Sequence, residues 1–141
     1  MTRRIVVCGL VGMLALVAVG MTSEPAAART RPLINVVDVP TAAPPGATMQ
    51  SIRLAIMRGG ARRRWVIRPV SLGRLRGTLH LRSHVAVVDI FHDTKTFSII
   101  YVSSVNLLYR KEGDVAYIHR NYNSWIRNLE NDIRIAISLI R

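Results

Sequence analysis

The sequence predicts an α+β fold. In it, an antiparallel sheet of three to four strands carries an N-terminal helix and a long C-terminal helix on one face, a two-layer sandwich in the order α-β-β-β-β-α. Three observations predict it. A helical pattern of apolar residues opens at Thr48, period-two strands fill residues 65–102, and one apolar stripe runs from Ile118 to Ile140.

The chain starts with Met1-Thr2-Arg3-Arg4, followed by an uncharged, mostly apolar run from Ile5 to Gly20. A polar patch, Thr22-Ser23-Glu24-Pro25, then leads to Ala26-Ala27-Ala28 and Arg29. This is the three-part layout of a secretory signal peptide, 1–28, with cleavage expected near Ala28. The competing reading is a retained anchor, since the uncharged stretch approaches the ~20 residues that span a bilayer. Gly9, Gly12 and Gly20 dilute that stretch, and Pro25 with the alanines favours processing. Cys8 lies inside the apolar run rather than directly after it, so lipid attachment is not expected. The expected location is periplasmic or secreted.

Processing after Ala28 leaves residues 29–141, a length that suits one domain. The only cysteine goes with the leader, so neither a disulfide nor a thiolate ligand is expected. The charge is strongly positive, 20 Lys+Arg against 8 Asp+Glu. Outside the cytoplasm that excess points away from nucleic acid, and reads either as a match to lipid headgroups, lipopolysaccharide phosphates or acidic cell-wall polymers or as charge that serves solubility with no dedicated partner.

Residues 29–47 read as a Pro/Ala-rich extended tail, because Pro32, Pro40, Pro44, Pro45 and Gly46 oppose a helix or a central strand. Its apolar piece, Leu33 to Val37, could lie on the domain as an edge strand. The α+β domain spans 48–141. Thr48 is a natural N-cap, and Met49, Ile52, Ala55 and Ile56 recur at helical spacing with Arg53 on the opposite face. Gly59-Gly60 is expected to end this helix. Arg62-Arg63-Arg64 then falls where cations suit the helix dipole.

Trp65-Val66-Ile67-Arg68 is strand-like, with Pro69 marking an edge position and Leu72-Gly73 a turn. Leu75, Gly77, Leu79 and Leu81 alternate with Arg74, Arg76, Thr78, His80 and Arg82, so the strand has one buried and one basic face. A reversal at Arg82-Ser83 is required by length. Ala86, Val88 and Ile90 share one face of the next strand, opposite Val85, Val87 and Asp89. Asp93 to Thr96 forms a hairpin loop, and Phe97, Ile99 and Tyr101 mark a last strand. Residues 104–117 are expected to be a connection. The final helix carries Ile118, Tyr122, Trp125, Leu129, Ile133, Ala136 and Ile140 as its buried stripe.

The string Ile118-His119-Arg120-Asn121-Tyr122-Asn123-Ser124-Trp125 resembles the Ile-His-x-Asn-Tyr-Asn-x-Trp signature of a family of small, uncharacterised Gram-negative periplasmic proteins and lipoproteins. Arg82 to Ile90, Phe97 to Tyr101 and Ser104 to Leu107 are similar to further parts of that family. The resemblance covers about residues 31–135 and implies an envelope setting. It implies no activity.

Asn121, Ser124, Asn128 and Asn131 share a polar face of the last helix. Asn121 and Asn123 read first as satisfying backbone groups, and second as amides that hydrogen-bond a polar ligand. Of the four histidines, His84 and His92 lie roughly 26 Å apart along a strand. His80 and His84 could meet across a turn, but no metal is expected without supporting Cys or acidic ligands. Asp89, within an apolar strand, calls for an arginine on a neighbouring strand. His119 suits a cap or loop anchor.

Neither a nucleophile motif nor a Gly-rich phosphate loop is present, so neither an enzyme nor a cofactor is expected. The expected function is an exported, non-enzymatic envelope binding or interaction module of unknown ligand, with an envelope protein or an anionic envelope polymer as its partner. The alternative is a binder of anionic envelope polymer, or a peripheral membrane contact, through an arginine-rich face. The candidate binding surface is Arg74, Arg76, His80, Arg82, Asn121, Asn123 and Asn128. Trp65, Asp89, Tyr101, His119, Tyr122 and Trp125 are expected to be structural. The sequence does not set the oligomeric state.

Overall fold

A computed structural model describes residues 25–141, so most of the expected leader, 1–28, lies outside the described residues. The fold is α+β. Its elements are α1 (Ala26–Arg29), β1 (Thr30–Pro32), β2 (Val36–Pro40), α2 (Met49–Ala61), β3 (Trp65–Ser71), β4 (Arg74–Leu81), β5 (His84–His92), β6 (Thr96–Val105), β7 (Arg110–Glu112), β8 (Val115–His119) and α3 (Arg120–Ser138). Among the described residues no helix is long and apolar enough to cross a membrane.

The main sheet has five antiparallel strands in the order β2-β6-β5-β4-β3, and a second sheet has the order β1-β8-β7. The central meander follows the period-two pattern of the sequence. Leu75, Leu79, Ala86, Val88, Ile90, Phe97 and Ile99 all turn inward and are buried. They meet Ile52, Ala55 and Ile56 of α2 and Tyr122, Ile126, Leu129, Ile133 and Ile137 of α3 in one core. Both helices therefore lie on the same face of the sheet. The other face carries Val66, Arg68, Arg76, Val87 and Phe91.

Four local expectations change. The segment 29–47 is extended, but its first part is pinned rather than detached. Thr30 to Pro32 pairs with β8, and Val36 to Pro40 pairs with the edge of β6. Asn123 clamps the link between them, its Oδ1 accepting from the Ile34 N–H (3.2 Å) and its Nδ2 donating to the Pro32 carbonyl (2.8 Å). Prolines suit this role, since edge strands tolerate missing donors.

Residues 104–117, expected as a connection, hold a hairpin. Glu112 pairs with Val115 across Gly113-Asp114, and Gly113 has a φ of 58°, which a two-residue turn favours. The strands are short and mostly exposed, so they carry no buried alternation to read.

Helix α2 does not stop at Gly59-Gly60 but runs to Ala61. Its start follows the sequence: Thr48 accepts from the Ser51 N–H, and Ser51 accepts from the Thr48 N–H. The two glycines serve close packing instead. A Cβ at Gly59 would stand 2.8 Å from the Asp132 carbonyl oxygen and 2.9 Å from the Ile133 Cα of α3.

In α3 the buried stripe is rotated. Ile126 and Ile137 are buried, whereas Trp125, Ala136 and Ile140 are only partly covered. Ile118 belongs to β8, because His119 is the N-cap: its Nδ1 accepts from the Asn121 N–H at 3.2 Å. The helix so begins at Arg120, two residues beyond where the stripe was counted from. That fixes its phase by the strand that feeds it.

Candidate functional site

A cleft lies where α2 passes into β3, beside α3. Arg62, Arg63 and Arg64 link α2 to β3 and form its rim. Trp65, at the start of β3, and Leu79 and Leu81, at the end of β4, supply apolar lining, and Trp125 and Asn128 of α3 complete it. The cavity measures about 350 Å3, within the range of small-ligand sites.

The local fold explains why three cations gather here. Arg64 has a φ of 65°, a left-handed conformation that costs a side chain about 1 kcal/mol and lets the chain reverse into β3 at once. Arg63 Nε donates to Asp132 Oδ2 at 2.8 Å, and Arg62 Nε stands 3.9 Å from Asp132 Oδ1. Asp132 is 5 % exposed, so Arg63 is held by a buried carboxylate on α3. Arg64 makes no ion pair among the described residues. The rim thus carries three guanidiniums against one carboxylate. All three remain exposed to solvent.

Two further features mark the cleft. Trp65 is 3 % exposed, yet its indole N–H has no hydrogen-bond partner among the described residues. Buried donors are nearly always paired, which marks this one as an unsatisfied donor of a residue in the lining. Trp125 is half-buried, with His84 behind it at a ring separation of 6.3 Å. His84 is itself oriented by a 2.8 Å contact from Nδ1 to the Asn106 carbonyl and stacks on His119 at 6.2 Å. Chemically the cleft offers cationic and neutral donors over two aromatic rings, the equipment to hold an anion attached to an apolar or ring-shaped body.

The seven candidate residues do not form one surface. Arg74 and Arg76 lie on the outer sheet face and converge on Asp89. Arg74 Nη2 donates to Asp89 Oδ2 at 2.6 Å, and Arg76 Nε donates to Oδ1 at 2.9 Å. Arg74 also lies 5.7 Å from the centre of the Phe91 ring. His80 is exposed on the same face, at register with Val85, and Arg82 sits in the β4–β5 turn at φ 56°. Asn121 is exposed in the first turn of α3, and Asn123 is buried in its clamp. Only Asn128 reaches the cleft.

His80 and His84, read as able to meet, are on opposite faces. The two-residue turn pairs Leu81 with His84, which gives His84 the parity of the buried leucines. Among the described residues no group of three or more His, Cys, Asp and Glu could hold a metal ion. Tyr101 stacks on Tyr109 at 4.7 Å and meets Tyr122 edge-on at 5.7 Å. Burial pushes the Tyr122 phenol far above its ordinary range.

The Asp89 cluster has a pH consequence. The hydrogen bond from Arg76, helped by that from Arg74, holds the Asp89 carboxyl below the usual range, although burial works the other way. A lowered native pKa means that the unfolded chain takes up the proton first. The stabilisation is complete above pH about 4 and is lost as pH falls through the native value. Unfolding midpoints measured from pH 7 downward are expected to fall less steeply in Asp89→Asn than in the parent. Parallel acid limbs would refute a stabilising cluster.

Arg62 to Arg64 could be noticed in the sequence as the densest run of cations. The meeting of Trp65 with Trp125 could not, because those positions are far apart in the chain and only the packing of α3 across the hairpin joins them. Comparison with protein-family models, with curated proteins and with solved structures finds no match to this chain.

Proposed function

We propose that the protein is an exported, non-catalytic binding module whose Arg62–Arg64 cleft takes an anionic ligand of the cell envelope. The observation that carries this reading is the placing of three consecutive arginines around a cavity lined by two tryptophans and two leucines. A phosphate or carboxylate would bond Arg64 and Arg62, while a ring or apolar part would lie against Trp125 and Leu81. Asn128 adds a neutral polar contact. The excess of cations over the whole chain, 20 against 8, would steer such a ligand towards the protein.

The leader-like N-terminus and the resemblance to envelope proteins support a periplasmic or secreted setting, in which polymer and lipid anions replace nucleic acid. The cleft's polar groups are guanidiniums, an amide and an indole. These bind and orient anions, and none is a nucleophile paired with a base.

A second reading, contact with an envelope protein, is favoured by the outer sheet face. There Val66, Phe91 and Val105 are 50 %, 43 % and 54 % exposed. Scattered exposed apolar residues are common, so this face ranks second.

Cosedimentation with purified sacculi and with anionic vesicles tests the first reading. Binding is expected at low salt and should fade towards about 1 M salt, where screening shortens to about 3 Å. Arg62→Gln combined with Arg64→Gln should weaken it roughly thirtyfold, by the worth of two cations at an anionic surface. Arg63 is left in place to keep Asp132 paired. Salt-insensitive retention, or none at low salt, overturns the reading and turns attention to the outer sheet face.

A further inference from the structure

At the opposite end of the β3–β4 hairpin, two adjoining cavities share Met49, Leu72, Gly73 and His92. One of them, about 250 Å3, is also lined by Arg53 and Gln50 of α2 and by Ser71. His92 is 7 % exposed, and neither of its ring nitrogens has a hydrogen-bond partner among the described residues. The Arg53 Nε is buried and equally unpartnered. Sequence spacing puts Arg53 on the polar side of α2, but the helix sits so that Arg53 is half-buried and lines the same cavity as the buried imidazole.

A buried imidazole and a buried guanidinium Nε, both without partners in one cavity, are rare, because each unsatisfied group costs about 1–3 kcal/mol. Their chemistry is complementary to one kind of guest. A guanidinium only donates, and a neutral imidazole donates through one nitrogen. The Gln50 amide and the Ser71 hydroxyl can add donors.

We propose that this cavity is a second binding site, distinct from the arginine-rimmed cleft, and that it takes a small oxyanion, a carboxylate or a phosphate group, between Arg53 and His92. The neighbouring cavity, with Asp38 and Asp93 in its lining, repels an anion, so the guest belongs on the α2 side.

The electrostatics of the site add a coupling to protons. Burial lowers the proton affinity of His92, the charge of Arg53 lowers it further, and Asp93 partly restores it. The charged groups around the ring are Arg53 from α2, Asp93 from the end of β5 and Asp38 from β2. Arg74 of β4 is turned to Asp89 on the other face. An anion bound between Arg53 and His92 would offset the arginine's charge. It would raise the proton affinity of the ring, and binding would strengthen as pH falls.

Imidazole proton–nitrogen spectra of the protein at fixed ionic strength test the proposal, titrated separately with inorganic phosphate and with acetate. Saturable movement of the His92 signals is expected, with a His92 titration midpoint that rises as anion is added. Movement with phosphate alone assigns the guest as a phosphate group, movement with acetate alone as a carboxylate, and movement with both as either. Arg53→Gln should weaken the response at least about tenfold. Arg62→Gln with Arg64→Gln should leave it unchanged, which separates this site from the proposed function. The proposal is overturned by an absence of saturable movement at His92 in the parent protein. An unaltered midpoint in Arg53→Gln, or loss in the Arg62/Arg64 variant as well, would overturn it equally. The parent titration decides even if a variant folds poorly.

Discussion

Replacing Gly59 with valine is expected to lower the unfolding midpoint by roughly 12 °C. The helix propensity of valine exceeds that of glycine, so an isolated helix would gain from the change. In the folded protein a Cβ at this position would stand 2.8 Å from the Asp132 carbonyl oxygen, and that neighbour is backbone rather than a side chain that can turn away. Helix α3 must then move as a body, and it carries five buried apolar side chains, Tyr122, Ile126, Leu129, Ile133 and Ile137. Overpacking of this kind costs about 3 kcal/mol, and for a domain of this size each kilocalorie is worth roughly 4 °C. Gly59→Ala gives the sharper sign test, since propensity alone would stabilise it by about 1 kcal/mol. A midpoint that rises in the alanine variant would show that α2 and α3 do not approach through this glycine. Thermal unfolding followed by circular dichroism reads both variants.

Ile126→Ala is the second large effect. Ile126 is 1 % exposed, and removing its side chain beyond Cβ leaves a cavity where α3 meets the sheet, at a cost of about 2–5 kcal/mol. Ile140→Ala removes the same atoms from a position beyond the helix end that is only partly covered. Its cost is expected to be about 1 kcal/mol or less. The pair therefore reports the rotation of α3. Equal losses, or a larger loss at Ile140, would support the stripe counted from Ile118 through Trp125 instead. Chemical denaturation with a common slope for both variants gives the comparison directly.

That rotation has a functional side. With Ile126 inward, Trp125 stands at the edge of the core and its ring is left to wall the cleft beside Arg62 to Arg64. Had Trp125 been fully inward, the same three arginines would border a surface that keeps only the buried Trp65 ring. One step of helical phase thus separates a core position from a binding wall.

The sequence by itself determined the α+β class, the N-cap at Thr48, the turns at Leu72-Gly73 and Arg82-Ser83 and the inward set of the central strands. Each of these rests on interactions between residues close in the chain, or on an alternation that a sheet with one buried face imposes on every strand. It also displayed the arginine triplet, as cations suited to the end of α2, and Asn128, on the polar face of the last helix.

The tertiary structure alone decided the rest. The pairing of 30–40 with β6 and β8 depends on partners that lie dozens of residues away, and the 110–119 hairpin has too little buried surface to leave a pattern. Gly59-Gly60 could end a helix or admit a neighbouring one, and only the arrival of α3 selects the second. In the same way Arg53 and His92 are unremarkable in sequence, one on a helix and one at a strand end. They line one cavity because α2 lies across the sheet, and among the described residues no side chain pairs with the Arg53 Nε or with the His92 ring nitrogens.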